Sequence, residues 1–554
     1  MEVKKERPVV DFSELCVRVE EVRPTVTGVE VGVRNLHHGL AFLRHGNEPP
    51  FDMLVDITCE DRLLRGGEER FVVFYQLRSS RGGKCIEVVS ALREGEDLVS
   101  VVALWPAAAW LEMEIRDFFG LHFCGHPDQR RLFFLDSHSG YPLRKDYCPI
   151  EDLEPAREFV SALVTEEAEE EDGEVNLLEF GLSHPAWGRA QNIALGVEGD
   201  RVRQVEIRLG HAHAGIEKLV ETRPYMSGVE IAARLGPRCA RAATLAFVLA
   251  TEELLSIEAP PRAQAIRVIG LELERIVAYL AWFADLAQHA DSHAVCRYAW
   301  EVRSAAAVLL QGVPVAQVGG IQVDIEPALA AELAALCSSL PGVVRALDAA
   351  LLSSGGWSDR ARGVGVLGGA LALAWGASGP VLRASGVSAD RRLDAPYCDY
   401  GASSFAAIIG EYGDTWDRCY IRLREIERSA TLISERLLTL PVDSWRLIDE
   451  KLVVPVVHER SSVEAMIHHH GIWMHGHGLQ PPVGKTAFVS VEAPAGELAC
   501  FMVSDGSDRP CRLHFRVPSL LHAQIFPRLA VGLSIERAEL VWDSLDISAA
   551  EMDR

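Results

Sequence analysis

The spacing of hydrophobic and polar positions changes along the chain. Before residue 150, two short runs of aromatic and β-branched residues, Phe71 to Tyr75 and Cys85 to Val89, are separated by a glycine-containing stretch, which predicts strands. The segment Ala107 to Phe119 repeats apolar residues three and four positions apart, which predicts a helix. This part of the chain is therefore predicted to form a small α+β domain.

After residue 180 the helical period dominates. Long segments rich in Ala and Leu repeat apolar residues every three or four positions, and they are Ala240 to Ile257, Ala263 to Ala287, Glu326 to Leu352 and Gly413 to Leu440. Alternation typical of strands returns in Thr486 to Glu492, Leu498 to Ser504 and Arg512 to Val517. A mostly helical domain with flanking β elements is predicted, so the whole chain belongs to the α+β class.

An acidic run from Glu166 to Glu174 separates the two parts. Like charges in a block repel one another and stay solvated, so we interpret the run as a linker. A chain of 554 residues is also too long for one ordinary core. We expect a first domain at 1–150, an acidic linker at 151–180 and a second domain at 181–554. An exposed helix face is the alternative interpretation of the run, and it too lies outside both cores.

The formal net charge of −24 disfavours nucleic acid and anionic lipid headgroups as partners, because both attract basic surfaces. We find no run of roughly 20 predominantly apolar residues that would cross a bilayer. The nearest candidate, Gly363 to Trp375, is too short, and the N-terminus lacks the apolar core of a secretory signal. We expect membrane association, if it occurs, to come through partner subunits.

The twelve cysteines are scattered, and none forms a C-x-x-C pair. This usage is typical of reduced thiols in the cytosol, and it offers no clustered thiolates for an iron–sulfur cluster or a structural zinc ion. No Gly-rich dinucleotide fingerprint follows a predicted strand, so neither NAD nor flavin is expected on this chain. We therefore expect no metal and no tightly bound cofactor.

The first part carries a long, specific set of motifs. The run Trp110 to Gly120 is followed by Gly125-His126-Pro127, by Arg130-Arg131 and by Gly140 to Asp146. In order and spacing this set resembles the 30-kDa-type subunit of respiratory complex I, over about residues 50–150. The resemblance implies a small α/β docking domain.

Glu112 and Glu114 lie in the first of these motifs and raise the alternative of general acid–base chemistry. Residues two apart on a helix point in different directions, which disfavours a catalytic pair. We therefore interpret the motif as a surface that docks against other subunits.

The second part begins with Ser183-His184-Pro185 and Arg208 to Lys218. Further matches follow in the same order, and they include Glu272 to Ile276, Gly319-Gly320, Gly379-Pro380, Arg383 to Gly386, Pro396-Tyr397, Gly413-Asp414, Arg418, Glu492 to Pro494, Gly496-Glu497, Arg516 to Ser519, Asp546-Ile547 and Asp553-Arg554. This set resembles the 49-kDa-type subunit of complex I, which has the fold of the large subunit of [NiFe] hydrogenases. A chain that carries both subunit types is similar to fused complex I subunits and to the large subunits of formate-hydrogenlyase-type hydrogenases.

A [NiFe] centre requires four thiolates in two pairs. The resemblance places Gly236 and Cys239 where the first pair would stand, and the second pair falls in Asp546 to Glu551, which contains no sulfur. One thiol of four cannot hold the metals. We expect that the chain is not a nickel hydrogenase by itself.

The complex I resemblance implies that quinone occupies the space of the lost metals, held by a histidine and a tyrosine. His213 matches the histidine, Pro237 falls at the tyrosine and Gly236 at the preceding acid. Proline has no side-chain donor, so half of the expected contact is missing. His213 is then either a quinone contact or a hydrogen-bonded structural residue, and a still-catalytic site would have to use His211 or Arg238 instead of the tyrosine.

Five histidines, His468, His469, His470, His475 and His477, lie outside the family pattern. Neutral imidazoles bind zinc, nickel or copper. We interpret them as an exposed loop insertion with incidental metal affinity, and a physiological metal site is the alternative.

The resemblance implies a peripheral-arm subunit of an NADH:quinone oxidoreductase-like or hydrogenase-related complex, on the cytoplasmic side of the membrane. Its expected partners are an iron–sulfur subunit, which carries the clusters, and membrane-arm subunits. Quinone is the one cofactor that the resemblance allows at this chain. The alternative is a non-catalytic scaffold or coupling subunit of an ion-translocating complex.

Overall fold

A computed structural model describes residues 22–25, 28–81, 83–135, 138–148, 176–180, 192–289, 292–353, 355–447, 463–470 and 479–554. The acidic run at 166–174, the motif at 183–185, and His475 and His477 lie outside these residues.

The described residues of the first part form one five-stranded sheet with two helices. In chain order its elements are β1 (Val22–Pro24), β2 (Gly28–Val31), α1 (Val33–His45), β3 (Met53–Asp61), β4 (Phe71–Arg78), β5 (Cys85–Leu92), β6 (Leu98–Val99), α2 (Ala108–Phe119) and β7 (Phe123–Cys124). The strand order is β1-β2-β5-β4-β3, with only the β2–β5 pair parallel. The short strands β6 and β7 form a separate parallel pair.

The second part is mainly helical and carries three small antiparallel sheets. Its described elements are β8 (Asn176–Phe180), β9 (Asn192–Glu198), β10 (Arg201–Arg208), α3 (Ile216–Glu221), α4 (Tyr225–Ala232), α5 (Ala240–Leu255), α6 (Pro261–His289), α7 (His293–Gly312), β11 (Ala316–Gln317), β12 (Gly320–Ile321), α8 (Pro327–Leu347), α9 (Gly355–Ala361), α10 (Gly369–Ala374), α11 (Gly379–Ala384), α12 (Arg391–Asp394), α13 (Thr415–Leu438), α14 (Val463–His469), β13 (Thr486–Glu492), β14 (Glu497–Val503), β15 (Arg512–Arg516), α15 (Pro518–Ala530), α16 (Ile535–Leu545) and α17 (Ala549–Asp553). The sheets are β10-β9-β8, β11-β12 and β13-β14-β15. The α+β class predicted from the sequence is confirmed.

The two parts pack directly on each other. Both faces of β4 are buried, because its near-continuous apolar run gives each face large side chains. Val72 and Phe74 face the second part, where the Phe74 and Phe501 rings lie 4.8 Å apart. The opposite face belongs to a hydrophobic core that also contains residues of α5 and α15. The first sheet is thus covered on both faces by other elements of the chain.

Strand β3 lies at the edge of the first sheet, and β15 covers that edge with polar side chains. Arg512 Nε donates to the carbonyl of Cys59 at 2.9 Å, and Arg516 Nε donates to that of Val55 at 3.3 Å. His514, between the two arginines, lies 3.1 Å from Asp56. Because side chains alternate along a strand, the sequence Arg-Leu-His-Phe-Arg presents three polar groups on one face. The covered edge is unavailable for pairing with another chain.

One described helix, Pro327–Leu352 including its last π-helical turn, is long and apolar enough to cross a bilayer by length and composition alone. The expectation that no such stretch exists was therefore wrong by this criterion. The helix satisfies it because it is rich in alanine and poor in charge, while Leu333, Leu340 and Leu347 pack into a second hydrophobic core with α6 and α13.

Candidate functional site

The loop that carries His213 approaches the first part of the chain closely. It connects β10 to α3, and it contains Gly210 with φ +93°. A Cβ atom at Gly210 would lie 2.1 Å from the carbonyl oxygen of Phe133, so only glycine permits both this backbone shape and this approach. The motif glycine therefore serves to place His213 against the first part.

His213 is held by the C-terminal end of the chain, at the close of α17. Its Nδ1 lies 2.6 Å from the carbonyl oxygen of Asp553, and since a carbonyl only accepts, Nδ1 donates. The backbone N–H of Ala212 donates to Asp553 Oδ2 at 2.7 Å. The imidazole also packs against Phe118 and Phe133, with ring centroids 5.4 and 6.3 Å away. These contacts fix the orientation of the ring.

His213 borders an open cavity of about 420 Å³, a volume that includes solvent at its mouth. One wall is apolar and the other is charged; the lining residues are Glu114, Phe118, Phe133, Pro142, Leu143, His213, Gly215, Glu217, Lys218, Asp553 and Arg554. Gly236, Pro237 and Cys239 are not among them. The interpretation that these three residues face His213 across one space was wrong, because the turn that contains them packs on Glu551 instead.

The charged wall joins the two parts of the chain through buried ion pairs. Arg554 pairs with Glu114 of α2 and, at 3.3 Å, with Glu217 of α3. His514 Nδ1 lies 3.0 Å from Glu217 Oε1, and its Nε2 lies 3.1 Å from Asp56. Burial alone would lower the pKa of His514, but the carboxylates of Asp56 and Glu217 outweigh it and raise the pKa to about 9. Sequence reasoning missed His514, although its alternation with Arg512 and Arg516 was a usable signal.

The two acids of α2 have separate surroundings. Glu112 accepts a hydrogen bond from the backbone N–H of Val101 at 2.7 Å, and burial raises its pKa to about 7. Glu114 contacts Arg554 on the other side of the helix. The docking interpretation needs correction, because these acids are buried within this chain: α2 docks against the second part of the same polypeptide.

The two segments aligned with a metal centre do come together. Gly236 and Cys239 lie against Glu551, since a Cβ at Gly236 would be 3.0 Å from Glu551 Cγ and 3.1 Å from Cys239 Sγ. Glu551 accepts from Ser519 Oγ at 2.7 Å, and burial raises the pKa of both Glu551 and Cys239. The arrangement is a filled contact of one thiol, one carboxyl and one hydroxyl.

The alternative donors for quinone lie elsewhere. Arg238 pairs with Asp546 at 2.6 Å and with Asp285 at 3.1 Å, and it does not line the cavity. His211 is also absent from the lining. The cationic groups that do line it are Lys218 and Arg554, which sequence reasoning did not single out.

Other motif residues form a buried network within the helical part. Arg383 pairs with Glu425 and with Glu492, each at 2.6 Å. Arg392 pairs with Glu272 at 3.2 Å. All five side chains are almost fully buried, and they join α6, α11, α12, α13 and β13. Their role in this structure is to hold these elements together.

The histidine cluster is partly described. His468 and His469 lie in α14, so the expectation of a loop at these two positions was wrong. His470 is exposed directly after the helix.

The fold and the two motif sets define a class of fused respiratory subunit. Residues 29–152 match the family described as respiratory-chain NADH dehydrogenase, 30 Kd subunit, and residues 313–554 match the corresponding 49 Kd subunit family.

Comparison with individual proteins shows which subunits of this class the chain resembles. The chain is 30% identical over 568 residues to the C/D 2 subunit of NADH-quinone oxidoreductase from Aquifex aeolicus, covering 95% of each protein. It is 29% identical over 530 residues to the C/D subunit of the same enzyme from Bdellovibrio bacteriovorus, covering 93% of each. It is 33% identical over 402 residues to the D 1 subunit from Roseiflexus castenholzii, covering 71% of this chain and 96% of that protein. The chain belongs to the family of NADH-quinone oxidoreductase C/D subunits.

Proposed function

We propose that the chain is a peripheral-arm subunit of a membrane-associated NADH:quinone oxidoreductase-like complex, with no nickel site and a degenerate quinone site. The names of its full-length relatives support the first half of this proposal. The single observation that carries the second half is the orientation of His213, whose Nδ1 donates to the carbonyl of Asp553.

This orientation limits what the cavity can hold. When the imidazole is neutral and carries its proton on Nδ1, Nε2 is an acceptor, and a quinone carbonyl is an acceptor too. The two cannot form a hydrogen bond, whereas the hydroxyl of a hydroquinone can donate to Nε2. The lining residues, all from the described part of the chain, include no tyrosine that would act as the second donor. Quinone therefore meets chiefly the apolar wall of Phe118, Phe133 and Leu143.

The absence of nickel chemistry is argued from the ligands. Of the positions that would supply four thiolates, only Cys239 carries sulfur, and its partner there is the Glu551 carboxyl. A [NiFe] centre needs bridging thiolates, which one buried thiol does not provide.

Under this proposal the electrons arrive through iron–sulfur clusters of a partner subunit, and membrane-arm subunits anchor the complex at the cytoplasmic face. A scaffold or coupling role is the second candidate. The ion pairs of Glu217 with His514 and Arg554 favour it, because they tie the lining of the cavity into the packing of the chain.

The quinone test uses the assembled complex with wild type, His213→Ala, Pro237→Tyr and the exposed-histidine control His38→Ala. Quinone-analogue binding and quinone reduction are measured for each. We expect weak binding that His213→Ala changes little, because an Nε2 acceptor forms no hydrogen bond with a quinone carbonyl. Pro237→Tyr should not improve binding, since Pro237 lies outside the cavity lining. Strong reduction by wild type that His213→Ala abolishes and His38→Ala preserves would contradict the degenerate site.

The nickel test uses the purified chain with all five histidines at 468–477 replaced by alanine. After treatment with a chelator, it should contain no stoichiometric nickel and show no hydrogen uptake. Retention of one tightly bound nickel ion per chain would refute the assignment.

A further inference from the structure

A second group of side chains converges on the short β6–β7 pair, away from the His213 cavity. The backbone N–H of Leu98 donates to the carbonyl of His122, and that of Ser100 donates to the carbonyl of Cys124, each at 3.0 Å. This register places Asp97, directly before β6, beside Cys124 of β7 and His122, which directly precedes β7. All three side chains are exposed. They are therefore brought together by paired strands rather than by nearness in sequence.

The ligand atoms of these three residues are spaced like the ligands of a tetrahedral metal ion. His122 Nδ1 lies 3.4 Å from Asp97 Oδ1, Cys124 Sγ lies 3.6 Å from Asp97 Oδ2, and Cys124 Sγ lies 3.8 Å from His122 Nδ1. Zinc bond lengths of about 2.3 Å to sulfur, about 2.05 Å to nitrogen and about 2.1 Å to oxygen, with tetrahedral angles, give edges of about 3.4–3.6 Å. Each observed separation lies within about 0.2 Å of these edges, with the two oxygens of Asp97 facing His122 and Cys124 respectively. One ligand atom from each residue lies within 4.8 Å of the other two.

Direct hydrogen bonding explains the arrangement less well. The distance of 3.4 Å between His122 and Asp97 is too long for a good N–H···O hydrogen bond. The contacts of the Cys124 thiol with the other two groups are weak, because sulfur is a poor donor and acceptor. Nothing strong among these three side chains holds them together in the absence of an ion.

We propose that Asp97, His122 and Cys124 form a surface site for Zn²⁺, with water as the fourth ligand on the solvent side. The set of one sulfur, one nitrogen and one oxygen suits a borderline-soft ion and disfavours Mg²⁺ and Ca²⁺, which take oxygen ligands. The site departs from the expectation of no metal on this chain. It is independent of the proposed function in electron transfer.

The second group with suitable spacing, Glu114, Glu217 and His514, is a poorer candidate. Arg554 and Arg512 already pair with its carboxylates. These positive charges already balance the negative charge that would attract a metal ion.

The test uses Co²⁺ as a spectroscopic substitute for Zn²⁺, on the full chain with the 468–477 histidines replaced by alanine. We expect one Co²⁺ per chain, with a thiolate charge-transfer band in the near ultraviolet, tetrahedral ligand-field bands in the visible and displacement of both by Zn²⁺. Cys124→Ser should remove the charge-transfer band. Cys85→Ser, which changes another exposed cysteine, should leave it intact.

Zn²⁺ affinity, measured by competition with a chromophoric chelator, gives a second readout. Asp97→Ala and His122→Ala should each weaken binding on the order of 100-fold, at least as much as loss of an outer-shell partner does. Circular dichroism of each variant verifies that the chain is folded. A cobalt complex without a thiolate band, or a band that survives Cys124→Ser, would overturn the proposal.

Discussion

At the residue scale, His514 is a group whose charge depends on the fold. It is almost fully buried. It faces Asp56 and Glu114 of the first part and Glu217 of the second part. Arg512 and Arg554 also pair with Glu217, so the negative charge of this carboxylate interacts with two arginines as well as with His514. The balance still favours the imidazolium, with a pKa of about 9.

This raised pKa predicts how stability changes with pH. The imidazolium is favoured in the folded chain, so its contribution is complete below the pKa of unfolded histidine, about 6.5, and disappears as pH rises through 9. The difference in free energy of unfolding between wild type and His514→Gln should therefore shrink between pH 6.5 and pH 9, by up to about 3 kcal/mol. Urea unfolding at a series of pH values measures it.

His522 is a matched control with the opposite sign. Burial, together with the charges of Arg516 and Arg422, lowers the pKa of His522 to about 3, so the folded chain keeps this ring neutral. Its stability contribution is lost only as pH falls below about 6.5, and His522→Gln should show a flat difference between pH 6.5 and pH 9. A flat profile for His514→Gln over the same range would contradict the assigned charge.

Single residues also show how far the sequence leads. His213 is recognisable from its motif, and the structure places it on a cavity. The residues that surround it were not predictable, because Asp553 and Arg554 reach His213 and Glu114 only through tertiary packing. No local period or spacing connects positions more than 300 apart.

At the element scale, regular periods were reliable. The predicted strands appear as β4, β5, β13, β14 and β15, and the predicted helices appear as α2, α5, α6, α8 and α13, with ends shifted by a few residues. Helix α15 was not predicted, and its burial explains why. Nearly all of its residues are buried, so it lacks the polar face that creates a helical period in a sequence.

Strands β4 and β14 are linked by a buried pair that tests the contact between the two parts. Arg78 Nη1 donates to Glu497 Oε2 at 2.7 Å, and Arg391 Nε lies 3.5 Å from the same carboxylate. Arg78→Met should lower the free energy of unfolding by about 3 kcal/mol, because it leaves a buried carboxylate with one distant partner. Thermal or urea unfolding measures this loss.

The double variant Arg78→Met with Glu497→Met provides the control. Removing both charges leaves no uncompensated carboxylate, so the double variant should recover much of the lost stability. If it is as unstable as Arg78→Met alone, packing of the arginine side chain rather than charge pairing holds β4 on β14.

At the scale of the whole molecule, the two parts share a core although the sequence divides them. Residues of β3, α2, α5 and α15 belong to one hydrophobic cluster. The division into 1–150, 151–180 and 181–554 stays a prediction about the chain. The sequence could not indicate how the parts pack, because each apolar face predicts burial without naming its partner.

Limited proteolysis should cut first in the acidic run at 166–174, where the sequence predicts a solvated linker. The two fragments should then stay together in gel filtration, held by the shared core and by pairs such as Arg78–Glu497, and separate only in denaturant. Fragments that elute separately under native conditions would show that the covalent link, rather than the interface, keeps the parts together. First cuts within 190–300 would contradict the linker.

The sequence positions of the residues that line the His213 cavity determine when the cavity can form during translation. Its walls come from residues 114–143, 213–218 and 553–554, so a ribosome has to deliver almost all of the described chain before the cavity can close. Contacts this distant in sequence form late and slow folding. During translation Glu114 and Glu217 remain without Arg554 until residue 554 is made. A nascent chain is therefore incomplete at this cavity even after residues 114–218 have been synthesised.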